Sequence, residues 1–372
     1  MTIVYINNSI TNSGGMERIL ADKANYLVSH GHEVHIISLM DSDQEPFFYF
    51  DQRIVQHSLS MSSREIKGEK HLSTFLERVD SILKEIKADV AISMGLGLSR
   101  YTYLLNDGSK KILETHFSRF KRKNRMAKFA QTTLGKRIIP LLYRKEERLV
   151  AQFDRFVVLT KEDALQWPNA KNIEVIQNMV DVESNIMPAY EAKKIIGVGR
   201  YTGQKSWHYM IEIWAKIAHK YPNWSVSIYG NGHKKSQLQR LINKHGLQNS
   251  FFLNDSTDQI KEKMLESSIL VLTSKYEGLP LVLLEAMSLG LPCISFDCLC
   301  GPRDIIADGE NGCLVRRFDR NSFAEKLSML IENITLRQKL GENAKDSSAQ
   351  FRSENIMPKW VQLFSELIIV GK

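Results

Sequence analysis

The sequence predicts an α/β protein built from two Rossmann-like, doubly wound domains that face each other across a cleft. Three observations carry that prediction. A chain of 372 residues exceeds what one hydrophobic core ordinarily serves. Short β-branched runs alternate with stretches of helical apolar period, the pattern of a parallel sheet covered on both faces. The alternation fades over residues 178–191, where Pro188 and mixed polar residues interrupt it, and then restarts.

Taken in order, residues 3–6 predict a first strand, and Ser9, Gly14 and Gly15 mark a loop after it. Ile19, Leu20, Ala24, Leu27 and Val28 recur at helical spacing until Gly31 ends the helix. Further strands are predicted at 35–39, 54–59, 90–94, 111–115 and 156–160, with helices over 72–86 and much of 126–153. In the second half, strands at 194–198, 225–229, 251–253, 269–272 and 293–296 alternate with helices at 207–219, 234–244, 257–265 and 281–289. From Asn321 the chain reads as helical with a break at 332–334, and residues 357–369 form an amphipathic last helix. The expected domains are residues 1–185 and 186–352, with 353–372 as a helix that packs back on the first. Ligands of such folds bind at the carboxyl ends of the strands.

Composition narrows the class. With 43% hydrophobic and 25% charged residues the chain is an ordinary globular protein. No apolar run approaches the roughly 18–20 residues that span a bilayer. The opening residues 1–6 lack a basic n-region and predict a strand rather than a signal peptide. Cys293, Cys298, Cys300 and Cys313 cluster in one part of a long chain, which predicts buried, reduced thiols of a cytoplasmic protein rather than a disulfide framework. The net charge of +8 is concentrated. Residues 119–148 hold eleven Lys/Arg against Glu146 and Glu147, so the remainder is close to neutral. Interleaved with Phe120, Phe129 and Leu134, that segment predicts reversible attachment to an anionic membrane surface, a solvated helical face being the simpler alternative.

The sharpest motif runs from Ser274 to Met287. An apolar strand is followed by Glu277, Gly278, Leu279 and Pro280, then by an apolar helix carrying Glu285 eight positions after Glu277. Gly278 permits close backbone approach to a ligand, and Pro280 suits the first helical position. Amides of Leu281, Val282 and Leu283 would then point from a helix N-terminus, where a diphosphate is favoured. Glu285 would accept from ribose hydroxyls.

These residues resemble the paired-glutamate motif of glycosyltransferase family 4, whose fold is the two-Rossmann GT-B type. Gly197, Gly199, Arg200 and Lys205 are similar to the family's strand–glycine–arginine…lysine element, which implies Arg200 and Lys205 on the donor diphosphate. Here Ser206 stands where the family usually has glycine. Gly14 and Gly15 resemble its glycine-rich first loop, which approaches the diphosphate or the acceptor; a simple turn is the other reading, and Asn12 or Ser13 would cap the helix. Gly230 matches the second glycine turn, and Asn254 falls in the base-binding loop, through its side chain or its backbone. The segment from Ser295 to Gly312 resembles the closing segment of the donor domain and is assigned a structural role. His116 ends a strand where the family often places a histidine against the donor sugar; a histidine satisfied by backbone is an equal reading.

The resemblance implies transfer of a hexose or N-acetylhexosamine from a UDP-sugar to a lipid-linked saccharide or lipopolysaccharide-type acceptor, with retention. It implies catalysis without a metal or other cofactor. The pair Asp41 and Asp43 reads as surface. Glu277 would hold sugar hydroxyls while Arg200, Lys205 and the helix amides stabilise the leaving diphosphate. The expected site is the inner face of the cell membrane, reached peripherally. Two other classes compete: a nucleotide-sugar epimerase of the same architecture, and a nucleic-acid-binding protein. The basic run carries no recognisable nucleic-acid motif or stacking platform, so no nucleic acid partner is expected.

Overall fold

The structure is a computed structural model that describes residues 1–12, 14–39, 45–61, 66 and 69–370. Ser13, Asp41 and Asp43 lie outside the described residues, so the cap and surface readings attached to them concern residues not described. The chain divides into two units, one of Met1–Met179 with Ser353–Lys372 and the other of Val180–Arg352. The division falls slightly before the 185/186 boundary expected from the fading apolar rhythm.

The first unit is a seven-stranded parallel sheet of β1 (Thr2–Asn7), β2 (Glu33–Ser38), β3 (Val55–Ser58), β4 (Val90–Met94), β5 (Lys110–Glu114), β6 (Arg155–Val158) and β7 (Ile173–Val175). The strand order is β3-β2-β1-β4-β5-β6-β7. Its helices are α1 (Gly15–Ser29), α2 (Glu69–Glu85), α3 (Ser99–Thr102), α4 (Phe120–Ala130), α5 (Thr133–Val150) and α6 (Lys161–Ala164). Successive strand side chains point to opposite faces, and each face has its own core. Ile3, Tyr5, Ile36 and Ile92 pack with Leu20, Ala24 and Leu27 of α1 and with Trp360 and Phe364 of the last helix. Val4, Ile6, Ile37 and Ala91 pack with Phe75, Val79 and Leu83 of α2.

The second unit is a six-stranded parallel sheet of β8 (Lys194–Val198), β9 (Ser225–Tyr229), β10 (Phe251–Asn254), β11 (Ile269–Leu272), β12 (Cys293–Asp297) and β13 (Cys313–Arg316), ordered β10-β9-β8-β11-β12-β13. Helices α7 (Trp207–Ile217), α8 (Lys235–Lys244), α9 (Ile260–Leu265), α10 (Leu281–Ser288), α11 (Pro302–Ile305), α12 (Arg320–Glu332) and α13 (Ile334–Ser348) connect or follow the strands. Trp207, Trp214, Phe251, Phe296 and Phe323 fill one core. All four cysteines are buried free thiols.

Both sheets are the doubly wound, parallel architecture that the alternation predicted. The departures have local causes. The helix expected over much of 126–153 is two helices, because the Thr132 hydroxyl accepts from the Gly135 amide and caps α5 as a separate element. The break at 332–334 is the same device: Asn333 Oδ1 accepts from the Leu336 amide at 2.9 Å. The last helix, α14 (Ser353–Val370), begins before Pro358 and carries that proline inside it. Two further edge strands, β7 and β13, have only three and four residues, too few for their alternation to predict a strand.

Candidate functional site

In the second unit β8 pairs with β9 on one side and with β11 on the other. The strand order therefore reverses there, and the loops after β8 and β11 open side by side at the carboxyl edge, where doubly wound sheets bind ligands. The Lys275 amide donates to the Gln204 carbonyl at 2.8 Å, and the Thr273 hydroxyl donates to the Lys205 carbonyl at 3.2 Å. On this frame Lys205 Nζ lies 2.8 Å from Glu277 Oε1, with the two side chains 15% and 8% exposed. Gln204 Nε2 reaches Glu277 Oε2 at 3.3 Å and the Tyr276 carbonyl at 3.1 Å. Lys205 and Glu277 are thus in contact, and Gln204, which the motif did not single out, braces the carboxylate.

The loop after β12 holds Glu277 from the other side. The Glu277 amide donates to the Leu299 carbonyl at 3.0 Å. Gly301, at φ +98°, makes this possible: a Cβ there would meet Pro280 Cδ at 2.5 Å and the Gly278 carbonyl at 3.1 Å. Burial pushes the Cys298 thiol up, and the nearby Glu277 carboxylate adds to the shift.

Pro280 is the N-cap of α10, with extended backbone, rather than its first helical residue. The Leu283 amide, expected to be free, donates to the Pro280 carbonyl at 2.9 Å because the first turn is tight. The amides of Leu281 and Val282 have no hydrogen-bond partner among the described residues. Leu279 and Pro280 are buried, and Glu285 is half-buried on the helix they introduce.

Around β8, a Cβ on Gly230 would meet the Gly199 carbonyl at 2.4 Å, so glycine lets the two turns close on each other. The Asn254 carbonyl accepts from the Gly230 amide at 3.1 Å and from the Tyr201 hydroxyl. Arg200 is exposed and forms no ion pair among the described residues. Ser206, the departure from the family's glycine, sits in left-handed backbone (φ 53°, ψ 41°), and its hydroxyl donates to the Gly203 carbonyl at 2.7 Å. The position demands a conformation that glycine adopts freely and serine does not. The Thr202 and Ser274 hydroxyls, on the same two loops, are buried with no hydrogen-bond partner among the described residues.

In the first unit His116 lies just past the carboxyl end of β5, its side chain 6% exposed. Nε2 is 3.3 Å from Glu114 Oε1, but neither ring nitrogen is hydrogen-bonded among the described residues, so backbone does not satisfy the ring there. Glu114 Oε2 is 2.6 Å from Lys23 Nζ, and that ammonium lies 3.4 Å from the centre of the Trp360 ring. Burial alone would raise the Glu114 carboxyl; Lys23 and His116 together hold it at about 2. Lys23 was missed although it occupies the buried 19–23–27 line of α1, an unusual place for a cation. Gly14 is the N-cap of α1 in ordinary extended backbone, and Gly15 is its first residue. Asn12 reaches the Glu17 carboxylate and does not cap the helix.

The basic segment divides. Arg119 is buried, bonded to Glu147 Oε1 at 2.9 Å and stacked over Trp167, so its guanidinium is not on the outward surface. Arg122 is paired with Glu146. The outward face that remains on α5 holds Arg137, Arg144, Lys145 and Arg148 with Leu134 and Leu141, 60% and 61% exposed.

Comparison with known proteins agrees with this geometry. Residues 13–184 match the model described as Glycosyltransferase Family 4, and residues 184–347 match Glycosyl transferases group 1. The chain is 28% identical over 358 residues to an uncharacterized glycosyltransferase of Haemophilus influenzae, covering 95% of this chain and 96% of that one. It is 28% identical to the amylovoran biosynthesis glycosyltransferase AmsD of Erwinia amylovora, covering 96% and 98%. Among solved structures, a variant of S. aureus TarM in complex with fondaparinux, α-GlcNAc-glycerol and UDP superposes with a TM-score of 0.78 at 16% identity, covering 98% and 99%. The two matched models span nearly the whole chain, both sheets have the GT-B architecture, and the protein belongs to the family 4 glycosyltransferases.

Proposed function

We propose that this glycosyltransferase moves a hexose or N-acetylhexosamine from a UDP-sugar to a lipid-linked saccharide of a bacterial surface polysaccharide, with retention and without a metal. The observation that carries the donor side of this reading is the Lys205–Glu277 pair at the reversal point of the second sheet. A diphosphate arriving beside exposed Arg200 draws Lys205 off the carboxylate, since two phosphate charges outcompete one carboxylate. Glu277 is then freed to accept from sugar hydroxyls, braced by Gln204. The amides of Leu281 and Val282 add donors at a helix N-terminus, and Glu285 accepts from the ribose.

The bond from the anomeric carbon to the diphosphate oxygen breaks as that carbon bonds the acceptor oxygen on the same face. The acceptor proton passes to the departing phosphate. Arg200, Lys205 and the amides stabilise the charge that develops on the diphosphate, the term that weighs most in such reactions. His116, whose ring nitrogens have no hydrogen-bond partner among the described residues, meets a sugar hydroxyl. The name of the Erwinia relative supports a polysaccharide product, and UDP in the TarM complex supports the nucleotide. The outward basic and apolar face of α5 supports a membrane-bound acceptor.

The test is UDP release, with and without cell-envelope saccharide extract, from UDP-glucose, UDP-galactose and UDP-N-acetylglucosamine, each repeated in EDTA. Turnover of one donor that chelation leaves unchanged is expected. Turnover only of GDP- or ADP-sugars, or activity restored by Mg²⁺ after chelation, overturns the donor or the metal-free reading. Appearance of an epimer of the donor sugar replaces transfer altogether.

A further inference from the structure

The first unit contains a buried ion pair that the donor chemistry does not use. Lys23 comes from the middle of α1, Glu114 from the end of β5, and both side chains are almost fully shielded from water. Helix α14 closes over them, with the Trp360 ring 3.4 Å from the ammonium and the Tyr5 ring 5.4 Å away. Two apolar side chains of the same size would serve stability as well or better, because each charge loses its hydration on burial. Stability therefore gives little reason for the pair to be there. Its geometry gives another. Lys23 occupies one carboxylate oxygen of Glu114, and the second oxygen faces His116 Nε2 at 3.3 Å.

We propose that Lys23 and Glu114 are positioning residues that fix the tautomer and orientation of His116. A small ring rotation turns Nε2–H onto Glu114 Oε1, and the partner of one ring nitrogen decides the state of the other. Nδ1, buried and without a hydrogen bond among the described residues, is then left as the ring's acceptor. Lys23 anchors the carboxylate from behind, so Glu114 cannot turn away. The Trp360 contact ties this arrangement to α14, which packs on the first unit through its apolar side chains. The functional weight of the arrangement rests on the proposed contact of His116 with a sugar hydroxyl.

Removing Glu114 alone would strand a buried ammonium, so the test uses Lys23→Met/Glu114→Leu, which removes both charges at similar volume. The full chain is labelled with ¹⁵N-histidine, and the His116 signals are identified by their loss in His116→Ala. The Nε2–H tautomer is expected in the wild type, with a shift toward mixed tautomers in the double variant. Loss of a hydrogen bond to a charged group predicts a fall in kcat for UDP release of about 10- to 100-fold, with KM for the UDP-sugar little changed. The same two substitutions made in His116→Ala should cause no further loss. An unchanged tautomer, or an equal loss in the His116→Ala background, overturns the proposal. A tautomer shift in a protein whose kcat ignores His116→Ala keeps the positioning and removes the sugar-contact reading of His116.

Discussion

Lys205 Nζ and Glu277 Oε1 stand 2.8 Å apart across two loops that leave neighbouring strands, and the main chains of those loops are bonded to each other. The pair is a closed arrangement of the two groups proposed to hold the diphosphate and the sugar of the donor. Arg200, one loop residue beyond Gly199, is exposed and holds no such partner among the described residues.

That contrast separates two substitutions. Arg200→Ala is expected to leave stability within about 0.5 kcal/mol and to lower the rate by about 10²-fold. Glu277→Ala should lower the rate similarly but also strand a largely buried ammonium, at a cost on the order of 3 kcal/mol. Urea unfolding beside UDP-release kinetics reads both. Equal stability loss in the two variants would contradict the assignment.

Ser206 predicts a gain. Left-handed backbone costs a non-glycine residue roughly 1–2 kcal/mol, against a hydroxyl bond to the Gly203 carbonyl worth about 1 kcal/mol. Ser206→Gly should therefore leave stability unchanged or raise it by up to about 1 kcal/mol, a shift of at most a few degrees in Tm, with activity kept. A marked fall in Tm would mean the hydroxyl outweighs the strain.

The buried Glu114 carboxyl makes stability depend on acid in a defined window. Its folded value of about 2 lies below its ordinary value of 4.5, so its contribution is present in full above 4.5 and is lost as pH falls from there toward 2. Urea midpoints at pH 5 and pH 3 should fall more steeply for the wild type than for Lys23→Met/Glu114→Leu. Parallel slopes would show that the carboxylate is not held charged by its surroundings.

The proposed membrane attachment rests on the outward face of α5. Flotation with phosphatidylglycerol vesicles is expected, with release in high salt and little binding to phosphatidylcholine. Leu134→Asp/Leu141→Asp should abolish flotation while leaving UDP release intact. Binding that ignores both salt and the double substitution would place the contact elsewhere.

The paired sheets, the loop positions of Glu277, Arg200 and Lys205, and the glycines that bring turns together were readable along the chain, because each depends on period or on a few adjacent residues. Asn333 as a helix break was legible for the same reason. What only tertiary structure decided are the pairings between residues 72 and 91 positions apart, Lys205 with Glu277 and Lys23 with Glu114. The inward turn of Arg119 onto Glu147, which removes it from a charge run that looked uniform, belongs to the same class. A cation's local sequence says that it must find water or an anion; which anion, and on which side of a helix, depends on strands that meet only after the sheet has formed.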